Sequence, residues 1–466
     1  MGKELILGAF EEFLPNFISN TWHHPRSNTR DFATLPYWQR LVGAVEKAGF
    51  DFFFLAEAIG YPMDSEGRVP SAVVREAVQF PTHDPLTLMP AIAATVPRIA
   101  LVCTASTTAQ TPLLNARTFT TLDHISEGRI SWNIVTSDHQ HALVKILGLR
   151  DVTPHDERYA RADEFVQLNL QLWEGGWEDD AIKYDKEAKV FFDPDKVHRI
   201  FFDGKYFNFD GFFQAIPSLQ RTPTLFQAGT SKAGVAFAAK YAECVFTQDH
   251  DADRLKDTVI RLRAAVVEAG RPSDSLKIIN CASFVVASSD VEATRVRQEL
   301  WDSVTRESVA ALFLGWAGVD LSALDPEDTL DNVSTDVGQT LLALRLNADG
   351  SSPTIGEVLD RLPSTMAGLS FTGTPQSIAD EVERVVNLTD IDGFLVENIY
   401  SGGVEGYLDF IEQVMPELRR RGLLPNEPRT GSAREILTGS QGPQLPEWHP
   451  GVQYRHNASR GQSSGS

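Results

Sequence analysis

Short apolar runs alternate with amphipathic segments along the chain, and this alternation repeats about eight times. The apolar runs are rich in Val, Ile, Leu and Phe, as expected of parallel strands that are covered on both faces. They predict strands at 4–10, 50–56, 99–107, 128–135, 224–229, 244–248, 277–287 and 393–399. The amphipathic stretches predict helices at 36–48, 84–96, 112–124, 158–174, 231–241, 252–269, 290–309, 375–388 and 404–421. Eight β-α units favour a closed TIM (β/α)8 barrel over an open doubly wound sheet, and no Gly-x-Gly-x-x-Gly follows the first strand.

We expect a single barrel domain over residues 1–424, interrupted by long insertions. The insertions lie at about 11–35, 176–222 and 311–372. Segments that follow strands lie over the mouth of a barrel, so 11–35, 57–83 and 138–157 are predicted to wall a pocket there. Residues 425–466 lose hydrophobic periodicity and are predicted to form a C-terminal extension with a partly disordered, mobile tail.

Composition narrows the class of protein. The 466 residues are 42% hydrophobic and 23% charged, which is enough apolar material for a large core. A formal net charge of −21 argues against nucleic acid or an anionic membrane as partner. Cys103, Cys244 and Cys281 are widely spaced within apolar runs and are expected to be core thiols. No signal segment and no apolar run of about 18 residues occurs, so we expect a cytoplasmic protein.

Polar residues collect where the predicted strands end. Glu57 closes an otherwise apolar strand, Thr104 lies near the end of the next, and Asn133 lies near the end of the fourth. Side chains at these positions point into the mouth of a barrel. A solvated strand end for Glu57, and an ordinary β-forming role for Thr104, remain open alternatives.

The start of the following predicted helix offers His155, Arg158 and Tyr159 within about one turn. The turn after the fifth strand offers Gly229, Thr230 and Ser231 at the start of another helix, where free N–H groups favour an anion. Taken alone, that turn also fits a helix with Ser as its N-cap. The two segments together favour a phosphate site.

Two histidine pairs lie on expected mouth loops, His23 with His24 and His139 with His141. Neither pair has a carboxylate cluster nearby in the sequence to complete a metal site, so no metal is expected.

Several segments together resemble a known family. They are Trp22-His-His-Pro25, Phe52-Phe-Phe-Leu-Ala-Glu57, Arg75-Glu-Ala-Val-Gln79 with Asp84-Pro85, Thr121-Leu-Asp-His124, Gly128-Arg-Ile-Ser-Trp-Asn-Ile-Val-Thr-Ser137, His155-Asp-Glu-Arg-Tyr159 with Arg161-Ala-Asp-Glu-Phe165, Gln227-Ala-Gly-Thr-Ser231 and Gly373-Thr-Pro375. Over roughly residues 4–425 the chain resembles the nitrilotriacetate monooxygenase component A family, a branch of the bacterial-luciferase-like, FMNH2-dependent two-component monooxygenases.

The resemblance implies a TIM barrel that binds FMN at its mouth and uses O2 through a C4a-peroxyflavin. It implies flavin-ring contacts from Glu57, Thr104 and Asn133, although relatives usually carry Asp where Glu57 stands. A separate NAD(P)H:flavin reductase would supply FMNH2 as a transient partner.

The resemblance also implies phosphate contacts from Tyr159 and Ser231, with His155 nearby. Our hypothesis gives His155 a catalytic role in stabilising charge on the peroxide. A peroxyflavin survives only where water is excluded, and an aromatic wall would provide that. The residues expected to form this wall are Phe10, Phe13, Phe17, Trp22 and Tyr61.

Substrate identity is less constrained. The apolar start of the first loop favours a small apolar or weakly polar organic substrate, with oxidation or cleavage at C–N, C–S or C–H bonds. Two alternatives remain: a deazaflavin-dependent oxidoreductase on the same barrel, and a non-catalytic flavin-binding protein. Relatives pair through helices near the second and third strands, so we expect a homodimer or homotetramer.

Overall fold

The computed structural model describes residues 3–16, 18–329, 351–365 and 368–456. The described strands are, in chain order, β1 (Ile6–Glu12), β2 (Phe52–Ala56), β3 (Ala100–Ser106), β4 (Ile130–Val135), β5 (Ile182–Asp185), β6 (Val190–Phe192), β7 (Arg199–Asp203), β8 (Asn208–Phe212), β9 (Thr224–Ala228), β10 (Cys244–Thr247), β11 (Lys277–Val286), β12 (Leu369–Gly373) and β13 (Gly393–Glu397).

Eight of these strands form a closed parallel barrel. Pairing runs β10-β9-β4-β3-β2-β1-β13-β11, and β10 pairs with β11 to close the ring. Each barrel strand overlaps a strand that the sequence predicted, so the TIM-barrel fold is confirmed. The sequence did not predict β12, which pairs with the end of β11 outside the ring.

Each predicted helix overlaps at least one described helix, with shifted ends. The described α-helices are α1 (Leu35–Ala48), α2 (Ser71–Arg75), α3 (Pro85–Ala93), α4 (Pro112–Ile125), α5 (Gln140–Ile146), α6 (His155–Gly175), α7 (Lys232–Tyr241), α8 (Ala252–Glu268), α9 (Asp290–Asp302), α10 (Arg306–Ala317), α11 (Ile355–Thr365), α12 (Pro375–Thr389), α13 (Glu405–Asp409), α14 (Met415–Arg420) and α15 (Ala433–Thr438). The prediction of one helix over 290–309 is wrong, because Thr305 caps a new helix by accepting a hydrogen bond from the Ser308 N–H. The helix expected at 404–421 contains a π-helical stretch at Phe410–Val414.

Phenylalanine rings fill the inside of the barrel. The ring centroids of Phe10 and Phe54 are 5.1 Å apart, those of Phe54 and Phe246 are 4.6 Å apart, and those of Phe226 and Phe246 are 5.0 Å apart. The ring of Phe52 occupies the space beside Gly8, where a Cβ atom would lie only 2.0 Å from it. This aromatic layer forms a floor beneath the mouth of the barrel.

The insertions add small elements around the barrel. Residues 176–222 contain two antiparallel hairpins, β5 with β6 and β7 with β8. The described part of 311–372 contains a 3-10 turn at Leu321–Ala323, then α11 and β12. Residues 330–350 of that insertion lie outside the described residues.

The first part of the predicted C-terminal extension, residues 425–456, packs against the barrel. The Arg434 side chain is fully buried and donates hydrogen bonds to the Glu243 carboxylate at 2.6 and 2.9 Å. Burial alone would raise the pKa of Glu243, but Arg434 outweighs it and holds that pKa below its usual range. His449 Nε2 lies 2.9 Å from the Tyr241 carbonyl oxygen. The rest of the predicted tail, 457–466, lies outside the described residues.

Cys103, Cys244 and Cys281 are free and buried, as the sequence predicted. Among the described helices, none is both long and apolar enough to cross a bilayer.

Candidate active site

A cavity of about 410 Å³ opens at the C-terminal ends of the barrel strands, directly above the phenylalanine floor. Phe10, Phe54 and Phe246 form its base. Residues from the predicted wall segments line it as well, among them Ile18, Gln79 and Asp138. The cavity therefore occupies the place where the sequence predicted a pocket.

All three residues predicted to contact a flavin ring line this cavity. Asn133 Nδ2 donates to Thr104 Oγ1 at 2.9 Å, which fixes the orientation of the amide. Asn133 Oδ1 is then a buried acceptor that has no hydrogen-bond partner among the described residues. A buried acceptor of this kind is usually satisfied by a ligand or by water.

Glu57 reaches the cavity from the end of β2. Burial raises the pKa of its carboxyl to about 7, and the nearby Asp84 carboxylate adds to the rise. Glu57 can therefore gain or lose a proton close to neutral pH, which suits contact with an N–H group whose charge changes.

The phosphate cradle is the group formed by Arg158, Tyr159, Gly229, Thr230 and Ser231, and all five residues line the cavity. Gly229 has φ +141°, and a Cβ atom there would lie 2.9 Å from both the Tyr159 hydroxyl and Gln227 Nε2. Only glycine allows this close approach. Ser231 caps α7 by accepting from the Gly234 N–H at 3.1 Å, so the start of α7 faces the cavity.

His155 joins the phosphate cradle from the first turn of α6. Its Nε2 lies 3.3 Å from Ser231 Oγ, and its Nδ1 lies 3.0 Å from an Asp156 carboxylate oxygen. The ring centroids of His155 and Tyr159 are 5.1 Å apart. The structure therefore brings His155 to the anion-binding end of the cavity, and its catalytic role stays a prediction.

Three carboxyls that line the cavity were missed by the sequence analysis: Asp138, which lies in a predicted wall segment, and then Glu12 and Asp249. Burial raises the pKa of Glu12 to about 8, with a further rise from the Asp138 carboxylate. Burial also raises the pKa of Asp249. Both residues lie at or just beyond the end of a barrel strand, so the reasoning that selected Glu57 applied equally to β1 and β10.

The predicted aromatic wall is only partly present. Phe10 lines the cavity, but Phe13 does not, because its ring packs against Trp38 at 5.3 Å in the layer outside the barrel. Trp22 is 42% exposed, and Tyr61 packs against Phe80 at 5.7 Å, so these two side chains also lie away from the described lining. Phe17 lies outside the described residues. Trp316, from the third insertion, lines the cavity instead.

Within the described ranges, no group of three or more His, Cys, Asp or Glu side chains is arranged to hold a metal. His139 is buried with Nδ1 2.8 Å from Asp138 Oδ1, and the His24 ring stacks on Tyr400 at 4.6 Å.

The closed parallel barrel, with a cavity at its mouth that is lined by carboxyls, hydroxyls and a helix start, has the architecture of an α/β-barrel enzyme. The sequence model of the luciferase-like monooxygenases matches residues 12–390, and the chain belongs to this family. The family resemblance found in the motifs is thereby confirmed.

Individual relatives span nearly the whole chain. Dimethyl-sulfide monooxygenase of Hyphomicrobium sulfonivorans is 36% identical, covering 98% of this chain and 94% of that protein. Long-chain alkane monooxygenase of Geobacillus thermodenitrificans is also 36% identical, covering 98% of this chain and 100% of that protein. A crystal structure of riboflavin lyase with modified FMN and the substrate riboflavin superposes with a TM-score of 0.91, at 36% identity, covering 97% of this chain and 100% of that one. The chain is therefore an enzyme of the luciferase-like monooxygenase family.

Proposed function

We propose that this protein is the oxygenase of a two-component system, which binds FMNH2 delivered by a separate flavin reductase and uses O2 to oxygenate a small organic substrate. The observation that carries the proposal is the close approach of Gly229 to Tyr159 beside the start of α7. A helix start lined by hydroxyls and an arginine is suited to a phosphate monoester.

The residues present fit FMN. Arg158, Tyr159 and Ser231 would hold the phosphate, with His155 beside Ser231. The unpartnered Asn133 Oδ1 would accept from a ring N–H, and Thr104 holds the Asn133 amide in place. Reduced flavin, when bound, supplies the electrons that activate O2.

The chain itself would contribute orientation, a titratable carboxyl and exclusion of water. The floor of Phe10, Phe54 and Phe246 keeps water from entering below the reacting groups. Glu57, with its pKa raised to about 7, can hold or release a proton at the ring end of the site. The mouth loops would close the upper side.

We further propose that the reductase is a transient partner and that the chain forms a homodimer or homotetramer. Support for both comes from the family resemblance. A cytoplasmic location remains a prediction.

Anaerobic titration with photoreduced FMN tests the proposal, followed by rapid mixing with O2. We expect reduced FMN to bind more tightly than oxidised FMN, and flavin reoxidation to pass through a transient absorbing species. Riboflavin, which lacks the phosphate, serves as the matched control and should bind more weakly. Absence of binding to either redox state of FMN would contradict the proposal.

A further inference from the structure

The helix α10 lies across the mouth of the barrel. Near its start, Val309 shares a small cavity with Glu397, the last residue of β13. In its last turn, the Gly315 carbonyl accepts from the His139 N–H at 3.1 Å, and His139 belongs to the segment after β4. In the closed ring of eight strands, β4 stands opposite β13. The helix therefore bridges opposite sides of the mouth, and we call α10 the roof.

Packing holds the roof in this position. Residues 308–315 and Ala317 are all buried, so α10 is covered on nearly every side, as expected of a helix that is apolar all round. It packs against α2 and α11, and its apolar residues belong to the same buried cluster as the phenylalanine floor. Thr305, which caps the helix, donates to Glu76 Oε2 at 2.5 Å. These contacts tie the roof to the segment after β2 as well.

The last turn of the roof rests on a buried histidine. The His139 side chain is fully buried, and its Nδ1 lies 2.8 Å from Asp138 Oδ1, which orients the ring. A Cβ atom at position 315 would lie 2.6 Å from His139 Nε2 and 3.2 Å from Gln79 Oε1. Glycine is therefore required for the helix backbone to come this close to the ring. The contact fixes the height of the roof above the segment after β4.

Trp316 follows Gly315 directly and lines the cavity. Among the described residues of the lining, it is the one that α10 supplies. Gln79 and Asp138, which lie next to the contact between Gly315 and His139, line the cavity as well. Because Trp316 is bonded to a residue whose height is fixed, its indole has a fixed place in the cavity wall.

We infer that Trp316 limits the length of the substrate that the cavity accepts, and that the contact between Gly315 and His139 sets this limit by holding the roof in place. Trp316 is thus a specificity-determining residue, and Gly315 and His139 are positioning residues. The inference rests on the proposed function, because it places flavin in the cradle and substrate beneath the roof. Protein interiors are close-packed, so a methylene group that reaches the indole has no room unless the roof moves. Compact substrates should therefore be preferred over elongated ones.

Unbranched 1-alkanols, from 1-butanol to 1-decanol, test the inference. Binding is measured by calorimetry on protein saturated with FMN. Each added CH2 that becomes buried should raise the affinity about fourfold. In wild type the affinity should stop rising at the chain length that meets Trp316, which we call the length limit. In Trp316→Ala the limit should lie at least about two carbons higher, because removal of the indole leaves space.

Trp448→Ala is the matched control for Trp316→Ala. Trp448 is half-buried, as Trp316 is, but it belongs to the C-terminal extension and is not among the described residues of the cavity lining. This variant should keep the wild-type length limit. An unchanged limit in Trp316→Ala, an equal rise in Trp448→Ala, no limit up to 1-decanol in wild type, or no binding by any alkanol would each overturn the inference.

Gly315→Ala tests the positioning role. The added Cβ should displace the roof from His139 and raise the length limit, although alanine favours the helix itself. Gly43→Ala in α1 is the matched control, because the space around its Cβ is open, and it should keep the wild-type limit. In the Gly315→Ala background, His139→Asn shortens the side chain that the new Cβ meets, and asparagine tolerates the φ of +47° at that position.

The double variant should therefore return to the wild-type length limit. A general loss of stability in Gly315→Ala would not be reversed in this way. A folded Gly315→Ala protein with the wild-type limit, or a double variant with a limit as high as that of Gly315→Ala alone, would overturn the positioning role. If Gly315→Ala does not fold, the alkanol series on wild type and Trp316→Ala still decides whether the indole sets the limit.

FMN affinity is measured on every sample. Normal FMN binding with the same length limit in all variants would overturn only the inference about substrate length. Failure of the wild-type protein to bind FMN would instead overturn the proposed function.

Discussion

The two halves of the barrel mouth are built from different chemistry. In the phosphate cradle, Ser231 accepts from the Gly234 N–H and lies beside His155, and Gly229 allows the backbone to approach Tyr159. On the opposite side of the cavity, at the ends of β1 and β10, Glu12 and Asp249 each keep a buried oxygen atom that has no hydrogen-bond partner among the described residues. The side chains of the cradle contact one another, whereas these two carboxyls keep oxygen atoms that are not yet paired. Under the proposed function, the cradle would recognise the cofactor and the opposite side of the cavity would be left to the substrate.

The largest effect should come from Gly229→Ala. A Cβ atom at this position would contact Tyr159 and Gln227 at 2.9 Å, and φ +141° is strained for alanine. We expect FMN affinity to fall about 100-fold, because the helix start must move away from the phosphate. Fluorescence titration measures this loss.

Gly270→Ala is the matched control, because φ is +79° and the space around its Cβ is open. This variant should retain wild-type FMN affinity and lose only backbone stability. If Gly229→Ala binds FMN as well as Gly270→Ala does, the cradle is misassigned and the contrast between the two halves disappears.

A smaller effect, dependent on pH, is expected at Glu12, on the side of the cavity opposite the cradle. The pKa of Glu12 is raised to about 8 from its ordinary value of 4.5, so the folded protein holds a proton that the unfolded chain has lost above pH 4.5. The contribution of this proton to the free energy of unfolding is fully present below about pH 4.5 and is lost as the pH rises toward 8. When the pH is raised from 5 to 7, the free energy of unfolding should fall in both proteins. The fall should be smaller in Glu12→Gln than in wild type, by on the order of 2 kcal/mol.

Urea denaturation at the two pH values measures this difference. Some pH dependence will remain in the variant, because burial also raises the pKa of Glu11 and Glu397 to about 8. Glu268→Gln should behave as wild type does. The same pH dependence in Glu12→Gln and wild type would show that Glu12 is charged in the folded protein at neutral pH.

The smallest effect is expected from Ser231→Ala. Loss of the cap should cost about 1 kcal/mol of stability, and FMN affinity should fall about fivefold to tenfold. Ser289→Ala removes an equivalent cap, one that accepts from the Glu292 N–H at the start of α9, and should lower stability without changing FMN affinity. The affinity of both variants for riboflavin, which lacks the phosphate, distinguishes the loss of a phosphate contact from a general loosening of the site. Equal losses of FMN affinity in both variants would argue against a phosphate contact by Ser231.

The barrel could be predicted because each of its strands is an apolar run between polar helices. The cradle could be predicted because its members lie in two short segments, 155–159 and 229–231, with recognisable turn chemistry. Glu12 and Asp249 were harder to predict, since they are single carboxyls that reach the same cavity only when the barrel closes. Rings such as Phe13 and Phe10 are three positions apart in sequence, yet they pack on opposite sides of the barrel wall.

The packing of the C-terminal segment could not be predicted, because its buried apolar residues, among them Ile436, Leu437 and Val452, follow no clear period and one of its main contacts is an ion pair. From the sequence alone, the Arg434 side chain would be expected at the surface. Its burial depends on Glu243, which no local pattern connects to it.

The ion pair between Arg434 and Glu243 also bears on how the chain is made. The ribosome adds Glu243 long before its partner Arg434, which lies 191 positions later in the chain. Until Arg434 emerges, the nascent barrel must either leave this carboxylate in water or bury it uncompensated, and the second choice is costly. Closure of the barrel end beside β9 and β10 is therefore a late event in synthesis.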